Sequence, residues 1–314
     1  MPLAPSLFDL QINGFAGIDF QDPALSLADL RHAVDILRGG QTYRILLTLI
    51  TDDLGALERK FARIEKYRAA DPTLAETICG YHLEGPFLCP EDGYRGAHPG
   101  ECMRAPDLAA FERLQAAAGG NIRLLTLAPE WPGSAEFIAA AVAKGVVISL
   151  GHTNANEAQI DDAIRAGATM ITHLGNGTPV TLPRHDNIIQ RLLARDELTA
   201  CLIPDGAHLP PFTLRNFFRG KPAGKILLTT DAMAAGGAPP GRYRIGRLEV
   251  ESRDGFVRAP GSANLAGSCL EPLQGVANAA RWLGVPETEA RAMFSTRVAA
   301  QFGIRLPEIE IGEC

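Results

Sequence analysis

The apolar stretches of this chain are interrupted, mainly at their ends, by a recurring set of polar side chains. They are Gln11 and Asn13, His82 and Glu84, His152, His173 and Asn176, Asp205 and His208, and Asp231. A single histidine in such a place is most often structural. Repetition shifts the balance, because buried carboxylates need a partner or a metal and one fold gathers strand-end side chains into a common pocket. Glu84, His152 and His173 supply one carboxylate and two neutral imidazoles, the donors of a catalytic zinc with one position open. The predicted cofactor is one divalent metal ion, zinc first, with iron, cobalt or manganese accepted by the same atoms. Such an ion lowers the pKa of its water and polarises a carbonyl oxygen. Asp231 is the best base, able to take the proton of that water and deliver it to a departing amine. Its plainer reading is a carboxylate capping the turn in TDAMAAGG.

Lysine is informative by position. The five lysines, Lys60, Lys66, Lys144, Lys221 and Lys225, end no predicted strand, which argues against a two-metal centre bridged by a carbamylated lysine. Gln11 and Asn13 stand where a second metal would want histidines. Their amides are weaker ligands, so they favour one tightly held metal, or hydrogen bonds to the groups around it.

The elements that must position these residues are eight short apolar runs. They end near Asn13 and Ile50, at Gly85 and Glu130, and at His152, Asn176, His208 and Ala232. Helical periodicity separates them, as in LADLRHAVDILRGG and ANEAQIDDAIRAGA, the latter capped by Asn154 or Asn156. Strands apolar throughout suit a parallel barrel covered by helices. The fold class is therefore α/β, a (β/α)8 TIM barrel forming one catalytic domain over 1–314. GFAG after Asn13 does not match the glycine-rich loop of a doubly wound sheet. Residues 241–262 read as a β-hairpin insertion with a tight turn at Asp254-Gly255, either walling the pocket or forming a surface ribbon. The last helices are expected in LEPLQGVANAARWLG and ETEARAMFSTRVAAQFG.

Composition narrows the rest. With 314 residues, 46% hydrophobic and a net charge of -6, the chain can bury a large core and offers no basic field to nucleic acid. No apolar stretch approaches the roughly 20 residues that span a bilayer, and the N-terminus lacks the pattern of a signal peptide. The six cysteines form no C-x-x-C pair. These features predict a cytoplasmic protein without membrane or nucleic-acid partners.

The blocks DLQINGFAGIDF, GYHLEGPF, RGAHPG, LTLAPE, ISLGHTNA, THLGN, PDGAH and TTDAM followed by LAGS give the chain a wider kinship. In that order it resembles the amidohydrolase superfamily, and within it the N-acetylglucosamine-6-phosphate deacetylase family. The resemblance implies hydrolysis of the N-acetyl group of a 6-phosphorylated amino sugar, giving acetate and the free amine. It implies metal ligation by Glu84, His152 and His173, with Asp231 as catalytic acid/base. It places His208 on the substrate, His98 near the acetyl group, and Asn176 and Arg184 on the sugar phosphate. Arg184 would cross a dimer interface, so a homodimer is implied.

Three departures stand out. The family has a bulky residue and then N-A-M after THL, where this chain has Gly175, Asn176, Gly177 and Thr178. LAGS continues into Glu271-Pro272. The usual small β-sandwich beside the barrel has no evident counterpart, so a barrel-only relative without accessory structure is expected. The glycine departures keep a second reading open, an amidohydrolase acting on another amide, a cyclic amide or an unphosphorylated acyl sugar. A barrel that binds sugar phosphate without hydrolysis is the non-enzymatic alternative.

Overall fold

The computed structural model describes residues 3–261 and 264–311. Eight parallel strands follow one another round a single sheet in chain order: β1 (Leu7–Ile12), β2 (Thr42–Ile50), β3 (Ile78–Glu84), β4 (Ile122–Leu127), β5 (Val147–Leu150), β6 (Met170–Ile171), β7 (Thr199–Leu202) and β8 (Ile226–Leu228). The sheet closes between its first and last strands. Ile12 bridges Ala232, and the Asn13 amide donates to the Ala232 carbonyl at 2.6 Å. Below that bridge the buried Asp9 carboxylate accepts the hydroxyls of Thr229 and Thr230 across the seam. This is the (β/α)8 barrel read from the sequence.

Local sequence sets the helices. Ser26 and Asp29 form a reciprocal capping box that starts Leu27–Gly39, and Asn156 with Gln159 does the same for Glu157–Arg165, each satisfying two otherwise orphaned backbone donors. Of the two asparagines considered, Asn156 is the cap. Inside the barrel, Phe8, Leu10, Leu46, Leu124, Met170, Cys201 and Leu227 pack with Val298 and Ala299 of the helix Thr296–Phe302. That helix plugs the floor, with the Phe302 ring 5.9 Å from Phe8.

The expectation of a barrel-only chain is wrong. Three further sheets and the helices Pro272–Leu283, Glu287–Met293 and Thr296–Phe302 add accessory structure to the barrel. Leu3–Pro5 pairs antiparallel with Glu308–Glu310. Gly14–Phe15 pairs with Ile18–Asp19, and Gly241–Ile245, Leu248–Arg253 and Phe256–Arg258 make a three-stranded ribbon. The terminal pair escaped sequence reading because a three-residue strand shows no periodicity and finds its partner some three hundred residues away. The segment expected as one helix from Glu287 to Gly303 breaks in two where Ser295 takes a non-helical conformation. The ribbon matches the hairpin expected at 241–262, with Asp254 and Gly255 both left-handed at its turn; Ser262, like Cys314, lies outside the described residues. Among the described residues no helix is long and apolar enough to cross a membrane.

Candidate active site

Three of the singled-out residues share an unusual backbone. His152, His173 and Asp231 have φ of 50°, 29° and 50°, a left-handed conformation that costs a non-glycine residue on the order of 1–3 kcal/mol. Each stands two or three residues beyond its strand, where the chain turns sharply enough to aim the side chain into the barrel mouth. Burial is nearly complete at Glu84, His98, His152, His173 and Asp231.

The Glu84 carboxylate is the centre of the group. Its Oε1 lies 3.0 Å from His173 Nε2 and 3.3 Å from His152 Nε2, and its Oε2 is 3.8 Å from His98 Nε2. Glu84, His98 and His152 offer donor atoms all within 4.8 Å of one another. His98 thus reaches the cluster from the loop after β3, where sequence reading placed it against the substrate instead. His173 joins through the same Glu84 oxygen as His152. A buried Glu/His/His cluster suited to a divalent metal is therefore present.

The hydrogen bonds around the rings test that fit. His152 Nδ1 lies 2.8 Å from the Tyr94 carbonyl, so it donates there, which points Nε2 at the Glu84 carboxylate. A ring that donates to a backbone carbonyl through one nitrogen and offers the other to the site is the usual arrangement of a ligating histidine. His98 Nδ1 is engaged by Thr51 Oγ1 at 2.9 Å, which likewise turns Nε2 toward Glu84. Burial alone would raise the Glu84 carboxyl, but hydrogen bonds from His152 and His173 hold it well below its ordinary range. Burial pushes His98 down to about 3, with His152 adding to the effect, so this ring stays neutral and available.

Asp231 occupies the other side of the mouth. Asn13 Nδ2 donates to its Oδ1 at 2.6 Å, and Gln11 Nε2 donates both to that oxygen at 3.0 Å and to Glu84 Oε1 at 3.2 Å. The Gln11 amide bridges the two carboxylates, and Asn13 adds a second donor to Asp231. Burial, reinforced by the nearby Glu84 charge, pushes the Asp231 carboxyl up to about 7, poised for proton exchange near neutrality.

A cavity of about 220 Å³ opens over these groups and is also lined by Asn176, His208 and the 264–267 segment. His208 Nδ1 is held 2.6 Å from Asp205 Oδ2, while Asp205 Oδ1 accepts the backbone amides of Ala207 and His208. Asp205 is thus a positioning residue; its D-G-x-H spacing was the available signal. Asn176 Nδ2 donates to the His173 carbonyl. The ribbon walls the pocket through the buried Ile245, and Gly246 N donates to Asp19 Oδ2. Arg184 is not brought in: it stands exposed outside the cavity lining.

The glycines beside Asn176 have a steric reason. A Cβ on Gly177 would lie 2.7 Å from His152 Nδ1, and one on Gly175 would lie 2.8 Å from the Phe217 ring. Both glycines also have positive φ. Gly177 permits close approach to the His152 ring, and Gly175 makes room for the Phe217 ring.

No family model matches the chain. It is 33% identical over 304 residues to the N-acetylglucosamine-6-phosphate deacetylase of Bacillus subtilis, covering 96% of this chain and 76% of that protein. It is 39% identical over 280 residues to the human protein of the same description, covering 85% and 66%. Among solved structures, it is similar to a mutant N-acetyl-D-glucosamine-6-phosphate deacetylase from Mycobacterium smegmatis in complex with N-acetyl-D-glucosamine-6-phosphate. That match has a TM-score of 0.86 and 31% identity, and covers 96% of this chain and 78% of the other.

Proposed function

The chain belongs to the N-acetylglucosamine-6-phosphate deacetylase family, and from that premise we propose how its own residues hydrolyse an amino-sugar phosphate. The substrate is N-acetylglucosamine-6-phosphate or a close relative, and the products are acetate and the free amine. The observation that carries this reading is the buried Glu84 carboxylate ringed by imidazoles, with Asp231 tied to it through Gln11.

Glu84, His152 and His173 would hold one divalent ion, zinc first by donor chemistry. When bound, the ion polarises the acetyl carbonyl and lowers the pKa of the attacking water. Asp231 accepts a proton from that water as its oxygen adds to the acetyl carbon. The same carboxyl then returns the proton to the sugar nitrogen as the carbon–nitrogen bond breaks. Asn13 and Gln11 fix the oxygen that does this work. Asp205 orients His208, leaving Nε2 for the substrate, and Asn176 holds the loop beside the sugar. Arg184, exposed and outside the lining of its own pocket, fits donation to the phosphate in the neighbouring site of a homodimer.

Acetate release from N-acetylglucosamine-6-phosphate, its galactosamine epimer and the unphosphorylated sugars tests the substrate. Turnover that ignores the phosphate, or none with metal-replete protein, would sink the reading. The ligand set is tested by metal content per chain. We expect His173→Ala to lose the ion, and His98→Ala to retain it with slower turnover. The reverse pattern would make His98 the third ligand.

A further inference from the structure

A second cavity, about 570 Å³, lies on the other side of the wall formed by Ile50, Ala97, His98 and Ile245, the residues it shares with the active-site pocket. It sits between the helix Leu54–Ala70, the loop carrying Arg95, and the turn of the ribbon, and its size is that of a small-molecule site. Its charge sets it apart from a chain of net charge -6. Some of its cations are neutralised. Asp52 pairs with Lys60 at 2.8 Å and with Arg247, which also reaches Glu101, and Arg95 pairs with Asp92. Three are not. Among the described residues Arg59, Arg63 and Arg244 have no carboxylate partner, and Arg63 spends one donor on the Asp22 backbone carbonyl.

Arg59 and Arg63 stand one turn apart on a single helix, an arrangement of like charges that opposes helix formation, and Arg244 faces the same space from the ribbon. Three guanidiniums lining one cavity from two elements suit phosphate oxygens, whose geometry their planar donors match. We propose that this cavity binds a phosphorylated small molecule, at a site separate from the one that holds the substrate. A cavity of this volume suits a metabolite better than a polymer, and the acidic remainder of the chain would repel an extended polyanion.

Fructose 1,6-bisphosphate serves as the probe, in calorimetric titrations of the metal-loaded protein at low salt. Wild-type protein should show saturable one-to-one binding. Arg59→Ala and Arg244→Ala, both exposed and outside the catalytic machinery, should each weaken it about tenfold or more while acetate release in the absence of probe stays at the wild-type rate. Asn176→Ala should leave probe binding unchanged. The absence of saturable binding to wild type overturns the proposal. So does binding indifferent to both arginine changes, or binding lost with Asn176→Ala, which would place the probe in the active-site pocket. Because the readout is heat of binding, these outcomes stand apart from failure of the deacetylase reading.

Discussion

The two ends of the barrel are built to opposite rules. At the floor, Phe8, Leu10, Leu46 and Met170 meet Val298 and Ala299 in an apolar plug. At the mouth, carboxylates and imidazoles are buried with equal completeness, on backbone turned left-handed at His152, His173 and Asp231. The floor stabilises the fold through packing. The mouth spends stability on strain and on desolvated charge to hold reactive groups together. The same strands run through both ends, so one scaffold separates folding from chemistry by position alone.

The sharpest way to break that contrast is at Asp231. Changing it to asparagine keeps the shape and the bonds' geometry but removes the proton acceptor. Turnover should fall by about 10²–10⁴ while metal content holds; an active variant would remove Asp231 from the mechanism. At the floor, Phe8→Ala should cost about 3–5 kcal/mol in chemical unfolding with kcat per folded molecule near wild type. A matching collapse of kcat would show that the two ends are not separable.

Asp9 lies between the ends and tests the cost of burying charge. Burial pushes its carboxyl from 3.8 up to about 6 against its hydrogen bonds from Thr229, Thr230 and Gln11. A carboxyl raised in the folded state favours folding while protonated. That contribution is full below pH 4 and is lost as the pH climbs toward 6. The free-energy difference between wild type and Asp9→Asn should therefore shift by about 3 kcal/mol against wild type between pH 4 and pH 7; a flat difference would mean Asp9 is ionised freely. The smallest effect is expected at Gly177→Ala. Left-handed alanine costs about 1–2 kcal/mol, and its Cβ presses on His152. Turnover should drop roughly tenfold, and an unchanged rate would show that the loop yields without moving the ring.

Much of the mouth could be read from the sequence because each strand-end group sits in a local pattern. Glu84, His152, His173 and Asp231 all terminate apolar runs, and Ser26 and Asn156 announce their helices. What stayed hidden depends on contacts between distant segments. The nearness of His98 to Glu84 is decided by how the loop after β3 folds back, and Leu3–Pro5 finds Glu308–Glu310 without any periodic signal. The glycines of the Asn176 loop were visible as departures, but their causes, the ring of His152 beside Gly177 and the ring of Phe217 beside Gly175, were not. Arg184 matched a spacing, yet it stands exposed and outside the cavity lining.

The seam of the barrel carries one more consequence. Asn13 and Gln11 leave the first strand and grip Asp231 after the last, some 220 residues later. The carboxyl we propose as proton acceptor is thus set in place by the closing of the ring itself, and no contiguous part of the chain contains it together with both amides. Such long-range pairings form late because their loop entropy must first be overcome. Activity then acts as a gauge of topology: on refolding, catalysis should return after helical signal has recovered, when the first strand meets the eighth.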